Sequence, residues 1–393
     1  MNRSPRALAP TVVAALLFAA TGALVTWRFR EASGVAVGRL APPPPPALAH
    51  ATRDDILLTE RVLTPPPWML NEQACLSGPR RWAFPGLTAS TTAAVLARVL
   101  RGPGLALAQA SIRCAPDGCV VDAPAAVVTA VIPSERASFY ASLGATAANQ
   151  GYAFPFRRHP SRPAFADSPG LPPAAREVVA QTSWTQDGVL MFADLPAACE
   201  RMRDDAERTA LARAIHRPWT MDVALRTAPA SVERLVATVA PRARAVARAK
   251  LTRARETGRA TVPIDELLPE PARRRVGTWA TASEETLNCF WTALHFEDGD
   301  PRERLLSLPA VESALRARYR PLGEAPARFG DVMAFRNADG GLEHLAVHLF
   351  AGVFYTKNGI STVQPWRISR VEDVALDYPA TRSVELWRRL DEP

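Results

Sequence analysis

The period of apolar positions changes along the chain. Residues 7–27, between Arg6 and Arg28, form a 21-residue run without charge, long enough to cross the ~30 Å hydrocarbon layer as a helix. From about 54 to 230 apolar residues recur at helical spacing, most clearly over 89–101 and 196–215, and the second stretch carries its charges on the opposite face. Helical spacing returns over 278–296. Beyond 329 it gives way to strand-like runs over 329–335, 344–350 and 353–356, separated by Asn337-Ala338-Asp339-Gly340-Gly341 and by Ala351-Gly352. The pattern predicts an α+β chain. Its expected parts are a transmembrane anchor (1–30), a Pro-rich linker (31–53), a mainly helical domain (54–230), a basic helical linker (231–276) and a helix-on-antiparallel-sheet domain (277–393).

A cleaved signal peptide is the rival reading of the first segment. It would need an apolar core of about 7–15 residues with a small-x-small site close behind. The tidiest such site, Ala47-Leu48-Ala49, comes well after the run, so an uncleaved single-pass anchor in the inner membrane is expected. The five prolines 42–46 favour an extended spacer holding the body away from the bilayer.

Composition adds a compartment. Hydrophobic residues at 48% and charged residues at 22% are ordinary globular values and exclude wholesale disorder. Cys114 and Cys119 bracket Ala115-Pro116-Asp117-Gly118, a hairpin turn, and could bond across it; Cys75 and Cys199 would then be left to pair and Cys289 stay free, although four cysteines allow three connectivities and sequence alone does not choose among them. Two disulfides and one working thiol suit a periplasmic body, the alternative being five reduced cysteines. The net charge of +8 comes almost wholly from arginine, since Lys250 and Lys357 are the only lysines. Ten basic residues against four acidic ones lie over 241–275. They would spread around a helix without interleaved aromatics, so a solvated helix is expected and no nucleic acid partner. His159 and His216 read as surface or packing residues.

The chemistry concentrates in the last 115 residues. Cys289 opens an apolar helical stretch, where the N-terminal dipole favours thiolate. His344 begins a strand, and Lys357 and Asn358 close the next one. His348 lies roughly 13 Å along the same strand at ~3.3 Å per residue, too far to share a metal with His344. His295 sits nearly two turns beyond Cys289, out of reach of the thiol. No CxxC, HExxH or Gly-rich phosphate loop occurs, so neither metal nor cofactor is expected.

The order of Cys289, Gly330-Asp331-Val332 and His344-Leu345-Ala346-Val347 resembles the NlpC-type branch of the papain-like cysteine hydrolases, over residues 278–393 only. The resemblance implies a papain-like domain in which His344 takes the Cys289 proton, the thiolate attacks a carbonyl and a thioester forms. The Cys289 backbone N–H would help to hold the oxyanion. Two departures stand out. The family commonly has Asp-Cys-Ser where this chain has Asn288-Cys289-Phe290, and the aromatics Phe290 and Trp291 suggest a differently shaped cleft. The third triad position falls on Thr356, and Asn358, two residues on and on the same face, is taken as the residue that orients the imidazole.

The expected activity is thus a membrane-anchored amidase or peptidase whose substrate is a peptide, for instance of the cell wall. Two alternatives come from other classes. One is a papain-like scaffold that has lost activity and serves as a binding module; the other is a structural tether whose basic helix meets anionic partners.

Overall fold

A computed structural model describes residues 53–392 apart from 67, 71–74, 76–80, 150–151, 153–154, 285, 301–304, 324 and 360–361. The predicted anchor, and the linker up to residue 52, lie outside the described residues. No helix among the described residues is long and apolar enough to cross a membrane.

The chain divides into two compact units, one of residues 72–215 and one of residues 53–71 with 216–393. The expected boundary near 230 moves because Ile56–Val62 pairs antiparallel with Trp219–Arg226 along its whole length, from Ile56 opposite Leu225 to Val62 opposite Trp219. The basic linker is also corrected. Helices Pro229–Ala237 and Arg244–Glu256 bury Val232, Leu235, Val236, Ala247 and Leu251 in the same core as Trp291, Val347 and Trp387. Outward arginines of this region meet carboxylates, among them Arg248 with Glu233 and Arg259 with Glu266.

The first unit is less helical than its sequence pattern predicts, because it contains two three-stranded antiparallel sheets. Most of their strands run three to five residues, too short for a period of two to show. The unit is also an internal repeat. Strand Arg81–Pro85, helices Ala89–Val99 and Gly102–Ala110, the hairpin Arg113–Ala115/Gly118–Asp122 and helices Ala125–Val128 and Pro133–Gly144 make the first copy. Strand Phe156–Arg158, helix Pro173–Thr182, the hairpin Trp184–Gln186/Val189–Phe192 and helices Leu195–Cys199 and Asp205–Ile215 make the second. In both sheets the last strand of the copy lies between the other two. The sequence echoes this in Asp117-Gly118 and Asp187-Gly188, in Pro124-Ala125-Ala126 and Pro196-Ala197-Ala198, and in Glu135-Arg136 and Glu207-Arg208. Both turn glycines have positive φ, 140° and 80°, a conformation that L side chains adopt only with strain. Cys114 and Cys119 face each other in the first hairpin and are bonded, Cys75 is bonded to Cys199, and Cys289 is free.

A buried polar cluster joins the copies. Tyr140 donates to Asp194 at 2.6 Å, and Arg136 lies 3.6 Å from the same carboxylate and donates to Tyr140 and to the carbonyls of Val128 and Val131. Burial raises the Asp194 pKa to about 6, against the Tyr140 hydrogen bond and the Arg136 charge. A carboxyl whose pKa rises on folding holds its proton more tightly in the fold, so it favours the folded state as pH falls from about 6 towards 4. The span corresponds to roughly 3 kcal/mol. Urea midpoints for this unit should therefore include a term that rises on mild acidification and is absent in Asp194→Asn; the same pH dependence in both proteins would contradict it.

The second unit is built on a six-stranded antiparallel sheet in the order Tyr319–Pro321, Ser383–Arg389, Val332–Arg336, Leu342–His348, Val353–Lys357, Trp366–Arg370. Its central strands are buried on both faces, which explains their nearly continuous apolar runs. Alternate residues divide between two cores. Val332, Leu345, Val347, Val353 and Tyr355 meet Trp291 and Leu294 of helix Cys289–Leu294. Met333, Phe335, Ala346 and Phe354 meet Val371 and Val374 of helix Val371–Asp377. The sheet thus carries a layer on each face.

Candidate active site

Helix Cys289–Leu294 is far shorter than the 278–296 stretch of helical spacing. It starts at Cys289 because Asn288, in extended backbone, caps it, with Oδ1 accepting the Trp291 N–H at 2.9 Å while Nδ2 donates to the Leu305 carbonyl at 2.7 Å. Asn288, the departure from the family pattern, is thus a helix cap with both ends of its amide engaged. Trp291, expected to shape a cleft, is instead buried core, its indole N–H on the Asp300 carbonyl.

The thiol sits where two strands stop pairing. Leu342–His348 and Val353–Lys357 are registered at Val347–Tyr355 and His348–Phe354. Beyond those pairs, backbone N–H groups of Leu345, in the first strand, and of Gly359, two residues past the end of the second, serve the Cys289 sulfur, joined by the N–H of Phe290. Cys289 is 3% exposed. Burial raises its thiol above the ordinary value, outweighing those N–H groups and the Lys357 charge, which lower it. The expectation of a dipole-favoured thiolate is therefore corrected: a helix of six residues carries few aligned peptides, and desolvation wins. At rest the sulfur is a thiol.

His344 is fully buried and opposes Phe335 in the register, so its side chain lies on the face of helix Val371–Asp377. Its ring stacks on Tyr378, centroids 4.2 Å apart and planes 23° apart. Nε2 is 2.8 Å from the Thr356 hydroxyl, and Nδ1 has no partner among the described residues. Burial, and secondarily the Arg367 charge, push its pKa down to about 3, so the imidazole is neutral across the physiological range.

Asn358 does not hold the imidazole. Its amide donates to Asp377, whose carboxylate also takes Arg367 at 2.6 Å. Thr356, the position reached by counting along the strand, is the residue that the structure brings to His344. His348 shares the His344 face but bonds the Arg328 carbonyl at 3.0 Å. His295 caps the far end of the cysteine helix and bonds Asp298 at 2.6 Å.

Two neighbours escaped the sequence reading. Tyr378 stacks on His344, and its hydroxyl, like the thiol, is served by the Gly359 N–H; it follows a helix that lacks a family signature. Arg367 supplies the charge felt by His344, and one arginine among so many carries no signal. Among the described residues no cluster of three or more His, Cys, Asp or Glu could hold a metal. The site thus assembles a buried thiol, a neutral imidazole fixed by a threonine and a set of backbone N–H groups, on one sheet with a helix on either face. No protein family, curated protein or solved structure matches this chain.

Proposed function

We propose that the second unit is a cysteine amidase or peptidase working through Cys289, His344 and Thr356. On this reading an N-terminal anchor holds the body outside the inner membrane, where peptide amides such as those of the cell wall are the substrates. One observation carries the reading: Tyr378 faces both groups, its ring stacked on His344 and its hydroxyl in the field of Cys289, while the imidazole has one nitrogen committed to Thr356 and the other, Nδ1, unpartnered among the described residues and buried. With Nε2–H donating to Thr356, Nδ1 presents its lone pair as the base. It takes the thiol proton, the sulfur adds to the carbonyl, and the imidazolium returns the proton to the departing amine. Water then cleaves the thioester to the acid. The two disulfides favour the oxidising compartment.

The second reading is a papain-like scaffold that no longer turns over. What favours it is the burial of Cys289 and its protonated resting state.

Incubation of the detergent-solubilised full chain with a peptidyl vinyl sulfone, followed by mass spectrometry, separates the two. The expected result is one adduct on Cys289, none in Cys289→Ala, and labelling about 10²–10⁴-fold slower in His344→Ala, the usual range for a lost general base. Thr356→Val should cost less, and Asn358→Ala least. Labelling that ignores His344→Ala leaves the lapsed scaffold.

A further inference from the structure

Lys357 is one of two lysines in the chain and is wholly buried. It lies on the strand that carries Thr356, but the alternation of strand side chains turns it to the opposite face, that of the cysteine helix. Its ammonium donates to the Gly359 carbonyl at 3.0 Å and stands 5.7 Å from the centroid of the buried Trp366 ring. The backbone of Gly359 is therefore used on both sides of its Cα, the carbonyl by Lys357 and the N–H by the Cys289 sulfur. Gly359 has φ +62°, and a Cβ there would meet nothing within 4 Å, so the backbone joining the two groups borders open space.

A buried thiolate needs a counter-charge. In most cysteine–histidine pairs the imidazolium supplies it. His344 cannot do so at rest, because its imidazole stays neutral down to about pH 3. We infer that Lys357 is the positioning residue that supplies a counter-charge already in place at rest, an ammonium tied to the Gly359 backbone whose N–H serves Cys289, so that the thiolate is stabilised from the moment its proton leaves. The inference deepens the proposed function and rests on Cys289 being the nucleophile.

The groups facing this ammonium agree with the role. Burial lowers the Lys357 pKa to about 8, while Cys289 and Glu284 raise it. Glu284 is itself 3.3 Å from Arg275, whose guanidinium also lies over the Trp366 ring. The cation is thus present at neutral pH and lost above about 8. Thiolate stabilisation should follow it.

The test measures thiol chemistry without turnover. Iodoacetamide alkylation of Cys289 in the full chain is expected to slow about tenfold at pH 7 in Lys357→Met, one pKa unit of thiolate, and to recover in Lys357→Arg. An unchanged rate in Lys357→Met, or equal slowing in both variants, overturns the inference. Should Lys357→Met fail to fold, the unmutated chain decides. With ¹³Cε-lysine only two resonances appear, and Lys250→Arg assigns them. The Lys357 titration midpoint should fall after Cys289 is carbamidomethylated, since coupled groups shift each other; a midpoint that stays put overturns the pairing. A chain that shows this coupling and yet accepts no peptidyl electrophile keeps the inference and loses the hydrolase reading.

Discussion

Asp331→Ala is expected to destabilise the second unit by roughly 3–5 kcal/mol, the usual cost of removing one partner of a buried ion pair. Asp331 and Arg388 are both buried. The guanidinium reaches the carboxylate through Nε at 3.0 Å and Nη2 at 2.8 Å, and Nη2 also donates to the Pro326 carbonyl at 2.8 Å. The carboxylate further accepts the Arg328 N–H at 2.6 Å. Alanine would leave a charged guanidinium without water or a counter-ion between two strands of the sheet. Replacing both residues, as Asp331→Ala with Arg388→Met, should cost less than the single change, because no orphan charge then remains. Hydrogen exchange over Val332–Arg336 and Ser383–Arg389, with urea denaturation, reads the effect. A single-mutant loss below about 1 kcal/mol would show that the pair does not anchor the sheet. The Gly330-Asp331 step, read from sequence as part of a catalytic pattern, is thus a structural clamp.

Acidification should unfold the same unit well before its carboxylates titrate. Folding lowers the His344 pKa from about 6.5 to about 3, by burial first and the Arg367 charge second. The unfolded chain then binds a proton that the fold refuses. Stability from this group is complete above about pH 6.5 and drains away as pH falls towards 3, with a total on the order of 4–5 kcal/mol. His348, also lowered, by burial, acts in the same direction. Urea midpoints between pH 7 and 4 should fall steeply in the unmodified chain and less so in His344→Gln. Parallel curves for the two proteins would rule out His344 as the source. Asp194 in the first unit carries the opposite sign, so the two units should respond to mild acid in opposite ways.

Much of the candidate site was legible because its signals are local. The turns Asn337–Gly341 and Ala351-Gly352 set the limits of the two central hairpins, and the structure places Leu342–His348 and Val353–Lys357 against them. The Cys114–Cys119 bond is legible from a four-residue turn, whereas the Cys75–Cys199 bond, across 124 residues, is chosen only by the fold. Cys289 at a helix start was visible as polar residues giving way to an apolar run. Its ionisation was not, because desolvation depends on the Leu345 strand and the bend at Gly359 closing around it. Chemical type favours Asn358 over Thr356 as the residue that orients the imidazole. The structure reverses that order, because Asp377, at the end of a later helix and held by Arg367 of a later strand, takes the amide.

By itself the sequence determined that strands take over beyond residue 329, where the turns between them fall and which two cysteines lie close enough along the chain to pair. These depend on backbone preference and periodicity within a few residues. The tertiary structure decided the rest. The pairing of Ile56–Val62 with Trp219–Arg226 crosses more than 150 residues, and the repeat of the first unit shows in strand order more than in shared residues. Which nitrogen of His344 is committed, and which cation stands by Cys289, follow from strands that meet only in the folded sheet. Burial and charge are properties of that meeting, since water leaves a side chain only when distant segments close over it.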